Sequence, residues 1–133
     1  MTVVDTSVWI DYFNGVKNPH TDLLDASIIH GSVAMGDLIF LEILQGIRDD
    51  KHYRQTKQSL LSLEQYEMFG KDMAVVCADN YRALRKKGIT IRKTADVIIA
   101  TFCIEKELPL LFLDRDFIPF VDHLGLEPAL REA

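Results

Sequence analysis

Four acidic residues stand at positions where a fold could bring their carboxylates together. They are spread along most of the chain: Asp5, Glu42, Asp96 and Asp114. Carboxylates that converge in a partly dry pocket repel one another, so they take up protons or share a cation. Oxygen ligands without His or Cys suit Mg²⁺ or Mn²⁺. Such an ion supports phosphodiester hydrolysis, because it lowers the pKa of a bound water and offsets developing negative charge.

Two of these acids directly follow apolar runs that are typical of buried strands. Val3 and Val4 precede Asp5, and the run 110–113 precedes Asp114. A continuous apolar run is expected of a parallel strand that is covered on both faces. The carboxyl ends of parallel strands share one edge of a sheet, where ligands bind. We therefore expect both acids at that edge.

The other two acids are predicted to lie on helices. Glu42 lies one to two turns inside a helix that Asp37 would cap, and Asp96 lies in the first turn of a helix that Thr94 would cap. Each has a structural alternative. Glu42 could reach water or pair with Arg48, and Asp96 could simply interact favourably with the helix dipole.

Strand-like and helix-like patterns alternate along the whole sequence. We predict strands over residues 2–4, 32–35, 66–69 and 110–113, and helices over 7–14, 19–30, 51–63 and 72–87 and from residues 37 and 94. Residues 89–91 are predicted as an extended or loop segment, 119 as part of a short helical turn, and 123–126 as the approach to a possible edge strand. The prediction is one α/β domain, residues 1–133, with a parallel sheet of four to five strands and helices on both faces.

The composition is that of an ordinary globular domain. The chain of 133 residues has a net charge of −5, and no segment approaches the roughly 18 uninterrupted apolar residues of a membrane span. No basic segment precedes the first apolar residues, so we expect no secretory signal and a cytoplasmic location. Cys77 and Cys103 match no zinc or redox spacing and are expected to be reduced thiols in or near the core.

The acidic balance argues against a protein that coats nucleic acid by bulk attraction, but it leaves room for a local basic surface. Six of the fifteen basic residues form one group, and four form another. The first group is Arg82, Arg85, Lys86, Lys87, Arg92 and Lys93; the second is Arg48, Lys51, Arg54 and Lys57. Either group could instead be a solvated helix face.

Four motifs give the chain a resemblance to the PIN domain. They are residues 3–11, the Glu42-x-x-x-Gly46 helix, residues 94–100 and residues 113–117, and they occur in order over nearly the whole chain. The small size resembles VapC-type ribonuclease toxins of bacterial and archaeal toxin–antitoxin pairs. What the resemblance implies is an endoribonuclease that requires Mg²⁺ or Mn²⁺.

The resemblance also implies roles for individual residues. The catalytic acids would be Asp5, Glu42, Asp96 and Asp114. The metal ligands would be Asp5, Asp96, Asp114 and Asp116. Thr6 or Ser7 would bind substrate, by positioning a ligand or a phosphate. Asp37 departs from the pattern, since a small hydroxyl residue is common there. We further expect Arg85, Arg92 and Lys93, or alternatively the second basic group, to bind RNA phosphates.

By the same resemblance, the partners would be a second copy of the chain and a small antitoxin. The antitoxin's C-terminal segment would cover the acidic site, and exposed apolar residues on the first two helices could form its groove or could simply be core. A non-catalytic module that binds a metal or a basic partner is the alternative function. A phosphoacceptor receiver domain fits less well, because Asp5 has no adjacent acid and Arg115, not Lys, follows Asp114.

Overall fold

Strands and helices alternate along residues 1–131, the part of the chain that the computed structural model describes. The elements, in order, are β1 (Thr2–Val4), α1 (Thr6–Phe13), α2 (Pro19–Ile29), β2 (Val33–Gly36), α3 (Asp37–Gln45), α4 (Asp50–Leu61), β3 (Glu64–Tyr66), α5 (Lys71–Lys86), α6 (Thr94–Lys106), β4 (Leu110–Leu111), a 3₁₀ turn (Arg115–Phe117) and α7 (Ile118–Leu124). The predicted domain extends to residues 132 and 133, which lie outside the described range.

The four strands form one parallel sheet in the order β3-β2-β1-β4. Val3, at its centre, lies opposite Ala34 of β2 and Leu110 of β4. Consecutive strand side chains point to opposite faces, and those of β1, β2 and β4 are nearly all buried, so both faces are covered. The predicted α/β architecture is confirmed. The possible fifth strand is a single parallel bridge between Leu110 and Pro128.

The N-caps of three helices lie one residue before the positions that the sequence predicts. Asp5 is the N-cap of α1, Gly36 that of α3 and Lys93 that of α6. Asp37 and Thr94 are therefore the first helical residues and not caps, because the extended backbone ends one residue earlier. The Asp37 carboxylate instead accepts hydrogen bonds from the backbone N–H groups of residues 38 and 68, and so joins α3 to the segment after β3.

Two strands differ from their predicted bounds. β3 covers Glu64–Tyr66 and not residues 66–69, since Met68 packs against Gly36 in the core while Phe69 is exposed. β4 ends at Leu111, because the Phe112 ring turns to pack on Phe117, with ring centroids 5.4 Å apart. The segment that carries Asp114 therefore leaves the sheet before the acid is reached.

The core combines aromatic and aliphatic side chains from both faces of the sheet. Its largest fully buried members include Trp9, Phe102, Phe117 and Phe120. Cys77 and Cys103 are buried and free, as predicted. Residues 89–91 form a loop, and α7 is longer than the short turn expected around Pro119. Within residues 1–131, no helix has the length and apolar character needed to cross a membrane.

Candidate active site

Asp5 is held where β1 passes into α1. Its backbone N–H donates to the Leu111 carbonyl at 2.9 Å, and the Ser7 hydroxyl donates to its Oδ2 at 2.9 Å. The side chain is only 5% exposed. Burial raises the pKa of the Asp5 carboxyl, the Ser7 and backbone hydrogen bonds oppose that rise, and the charge of Glu42 adds to it. The residue is thus fixed, poorly solvated and close to another acid.

Glu42 reaches this site from the middle of α3. The Thr6 hydroxyl donates to its Oε1 at 2.9 Å, so the first turn of α1 sets the position of the carboxylate. Within residues 1–131, Glu42 forms no ion pair with Arg48, the partner that its structural alternative requires. Its half-buried position amid apolar neighbours is therefore explained by contact with the β1–α1 junction.

Three carboxylates converge between α6 and the 3₁₀ turn. One oxygen from each of Asp96, Asp114 and Asp116 lies within 4.8 Å of the other two. The Asp114 Oδ1 accepts a hydrogen bond from the Asp116 backbone N–H at 2.9 Å, which holds the two acids of the turn together. This clustering brings three negative charges into a space that a single ion could occupy.

Asp96 has the most perturbed environment of these acids. It is 6% exposed, and its Oδ2 is buried without any hydrogen-bond partner within residues 1–131. Its pKa is raised to about 7, mainly by burial; the charges of Asp5, Asp114 and Asp116 contribute to the rise, and Lys93 opposes it. A buried carboxylate oxygen without a donor is costly unless a proton or a cation satisfies it.

These features fit a hard divalent cation. The available ligand atoms are all carboxylate oxygens, and Asp96, which has an unpartnered oxygen, lies close to two more acids. Asp5 is not one of the three residues whose oxygens approach within 4.8 Å, but its charge acts on Asp96 and on the Cys103 thiol, whose pKa is also raised. The four predicted acids therefore lie around one edge of the sheet, and their individual roles remain predictions.

Comparison with known proteins agrees with the α/β fold described above. The model of the PIN domain family matches residues 2–120. This chain belongs to the PIN domain family. It is 27% identical to VapC ribonuclease Mb1587 of Mycobacterium bovis and to ribonuclease VapC11 of Mycobacterium tuberculosis. Each match extends over 119 residues, which are 88% of this chain and 89% of the relative. The structure of VapBC2 from Rickettsia felis bound to a promoter DNA fragment matches with a TM-score of 0.76 at 16% identity, covering 98% of both chains, and so shares the fold.

One basic residue, Lys93, borders the acidic site of this PIN domain. The Lys93 Nζ lies 3.9 Å from Asp114 Oδ2, and the Lys93 side chain is 66% exposed. Arg85 lies over the Tyr81 ring, with its guanidinium carbon 5.6 Å from the ring centroid, and Arg92 is exposed. Of the three basic residues predicted to bind RNA, Lys93 alone is in contact with an acid of the PIN site within residues 1–131.

The sequence did not reveal what anchors the PIN site. The hydrogen bond from the Asp5 N–H to the Leu111 carbonyl joins the ends of β1 and β4, and it depends on strand order, which no local pattern shows. The link from Thr6 to Glu42 likewise joins two segments that are distant in sequence. The Thr6 and Ser7 hydroxyls were predicted to position a ligand or phosphate; in this structure each donates to a carboxylate.

Proposed function

We propose that this chain is a metal-dependent endoribonuclease and the toxin of a type II toxin–antitoxin pair. The observation that carries the proposal is the buried Asp96 carboxylate, which has an unpartnered oxygen and lies within 4.8 Å of two further acids. Membership of the PIN family and the ribonuclease names of its relatives support the same function. The proposed unit is one PIN domain that spans residues 1–133.

The proposed cofactor is Mg²⁺, or Mn²⁺ in its place. Asp96, Asp114 and Asp116 would hold it, with Asp5 as a further ligand at the end of β1. When bound, such an ion supplies a water of lowered pKa and stabilises the negative charge that develops on phosphate oxygens. Hard oxygen ligands favour either ion over softer metals.

The side chains around the acids have separate parts in hydrolysis. Thr6 holds one oxygen of Glu42, and this carboxylate would act as the general base toward a water beside the acids. Ser7 holds the Asp5 carboxylate in one orientation. Lys93, which is mostly exposed, binds a substrate phosphate beside the acids, and Arg85 and Arg92 extend the positive surface.

The proposed partners follow from the relatives and from the charge of the site. The Rickettsia felis neighbour is a VapBC complex, and an antitoxin of the same kind is the partner that we assign here. A basic segment of that antitoxin would complement the converging carboxylates and block them. RNA is the proposed substrate, the chain would act as a homodimer, and the cytoplasm, where its substrate is found, is the proposed location.

Cleavage of total cellular RNA by the purified protein tests the function. The assay compares Mg²⁺, Mn²⁺ and EDTA for the wild type and for Asp5→Asn and Asp96→Asn, with Asp72→Asn as a matched control because that side chain is exposed on α5. We expect discrete, metal-dependent fragments from the wild type and the control, and none from the two site variants.

Other results would overturn the proposal in distinct ways. Cleavage that persists in Asp5→Asn and Asp96→Asn would indicate a contaminating nuclease. A protein that gains thermal stability with metal but cuts no RNA, even after its antitoxin is removed, would instead support the non-catalytic binding module.

A further inference from the structure

A cavity of about 380 Å³ lies on the far side of the segment that carries Asp114. It is bordered by the start of α2, the residues that follow β4, and α7 with the chain beyond it. Leu113 and Arg115 both line it, and these are the two sequence neighbours of Asp114. The cavity and the acidic cluster therefore share one short stretch of backbone.

That stretch is rigidly held. The Asp114 side chain accepts a hydrogen bond from the Asp116 backbone, and the Phe112 ring is packed on the buried Phe117. On the opposite wall, the Asn18–Thr21 capping box fixes the first turn of α2, which carries His20 into the cavity. Both walls are thus preorganised.

The lining combines an apolar slot with a cationic rim. Phe112 and Leu113 contribute apolar surface, and the Leu113 side chain is 37% exposed. Arg115 and Arg131 bring two guanidinium groups, against a single carboxylate from Asp122. A planar apolar ring that carries negative charge at one end complements this combination.

We propose that the cavity binds one nucleotide of the RNA substrate next to the scissile bond. The base lies against Phe112 and Leu113, and Arg115 binds the phosphate that links this nucleotide to the cleaved one. Unpaired bases are the parts of RNA that proteins read by stacking, while Arg binds phosphate with two parallel hydrogen bonds. The inference rests on the proposed ribonuclease function and deepens it, since the slot becomes a determinant of base preference.

Binding of the four 5′-ribonucleoside monophosphates, measured by equilibrium dialysis in EDTA, tests the cavity separately from cleavage. We expect the wild type to bind at least one of them at millimolar concentration and Arg115→Gln to bind it about tenfold more weakly, the loss of one charge-assisted contact. Lys106→Gln is the control, because this exposed residue ends α6 away from the cavity. The control is expected to match the wild type.

Cleavage of short RNAs that differ in one base beside the cut supplies the second measurement. Arg115→Gln should raise KM with little change in kcat, and Leu113→Ser should reduce the preference among bases. Equal nucleotide binding by wild type and Arg115→Gln, or none by the wild type, would overturn the inference while leaving metal-dependent cleavage intact. Nucleotide binding without any cleavage would instead overturn the proposed function.

Discussion

The Thr6 hydroxyl donates a 2.9 Å hydrogen bond to the Glu42 carboxylate, 36 positions further along the chain. This hydrogen bond makes the position of the Glu42 carboxylate depend on α1, the helix whose N-cap is Asp5. Replacing Thr6 with Val keeps the shape of the side chain and removes the hydroxyl that donates to Glu42. Under the role proposed for Glu42, we expect kcat for RNA cleavage to fall about tenfold or more, since misplacing a catalytic group greatly slows the reaction. Unfolding free energy should fall by only about 0.5–1.5 kcal/mol.

Thr6→Ser keeps the donor and is the matched control for this prediction. Its kcat should remain close to that of the wild type, because the hydroxyl can still donate to Glu42. Equal loss of kcat in both variants would show that the methyl group, and not the hydrogen bond, matters.

Asp96 predicts an unusual dependence of stability on pH in the absence of divalent metal. The pKa of its carboxyl is raised from 3.8 to about 7 in the folded chain, so between these two pH values the folded state holds a proton that the unfolded state has lost. The contribution of this carboxyl to stability is full below about pH 4 and is lost as pH rises to about 7. Asp96→Asn should therefore match the wild type at low pH and exceed it by up to roughly 4 kcal/mol above neutrality.

Chemical denaturation in EDTA at a series of pH values checks this prediction. Added Mn²⁺ should raise the wild-type Tm most at alkaline pH and leave Asp96→Asn nearly unchanged. Asp72→Asn controls for the loss of an exposed carboxylate. A constant difference between Asp96→Asn and the wild type across the range would contradict the prediction.

Lys93 predicts how RNA binding should respond to salt. Its ammonium group lies 3.9 Å from Asp114 Oδ2 but is mostly exposed, so it is free to contact a phosphate. In Lys93→Gln we expect weaker binding to uncleaved RNA in EDTA, with the slope of log K against log salt reduced by about 1. Fluorescence anisotropy with Lys106→Gln as control measures this. An unchanged slope would remove Lys93 from the RNA-binding surface.

The close approach of Met68 to Gly36 predicts that a side chain is not tolerated at the point where β2 meets α3. A Cβ at this position would overlap the buried Met68 side chain, so Gly36→Ala should lower the unfolding free energy by about 1–3 kcal/mol. In a Met68→Ala background, where the large side chain is absent, Gly36→Ala should leave the unfolding free energy nearly unchanged. A double-mutant cycle in urea measures the coupling, and additive effects would contradict the proposed overlap.

The strands that precede Asp5 and Asp114 could be predicted from local patterns. Val3 and Val4 before Asp5 identify a buried strand, and the apolar run before Asp114 identifies another. β3 was misplaced for a physical reason. Its residues, Glu64–Tyr66, include two exposed polar side chains at a sheet edge, and its position is set by pairing with β2 and by Met68 filling the space over Gly36.

The geometry of the candidate site could be predicted only in part. A sequence indicates that acids gather at one edge, but not which oxygens approach each other. The closeness of Asp96, Asp114 and Asp116 depends on β4 ending at Leu111 and on the 3₁₀ turn that follows. The cavity beyond Asp114 has no local signal either, because its walls come from segments as distant in sequence as His20 and Leu130.

The hydrogen bond between Asp5 and Leu111 joins the beginning of the described chain to its last strand. Forming it closes a loop that includes nearly every other element, and such closure is entropically costly and slow compared with local contacts. A chain in which only β1, β2 and β3 were paired would bring Asp5 and Glu42 together without Asp114, because Asp114 follows β4. Under the proposed function, the nuclease site is therefore complete only when the last strand has joined the sheet.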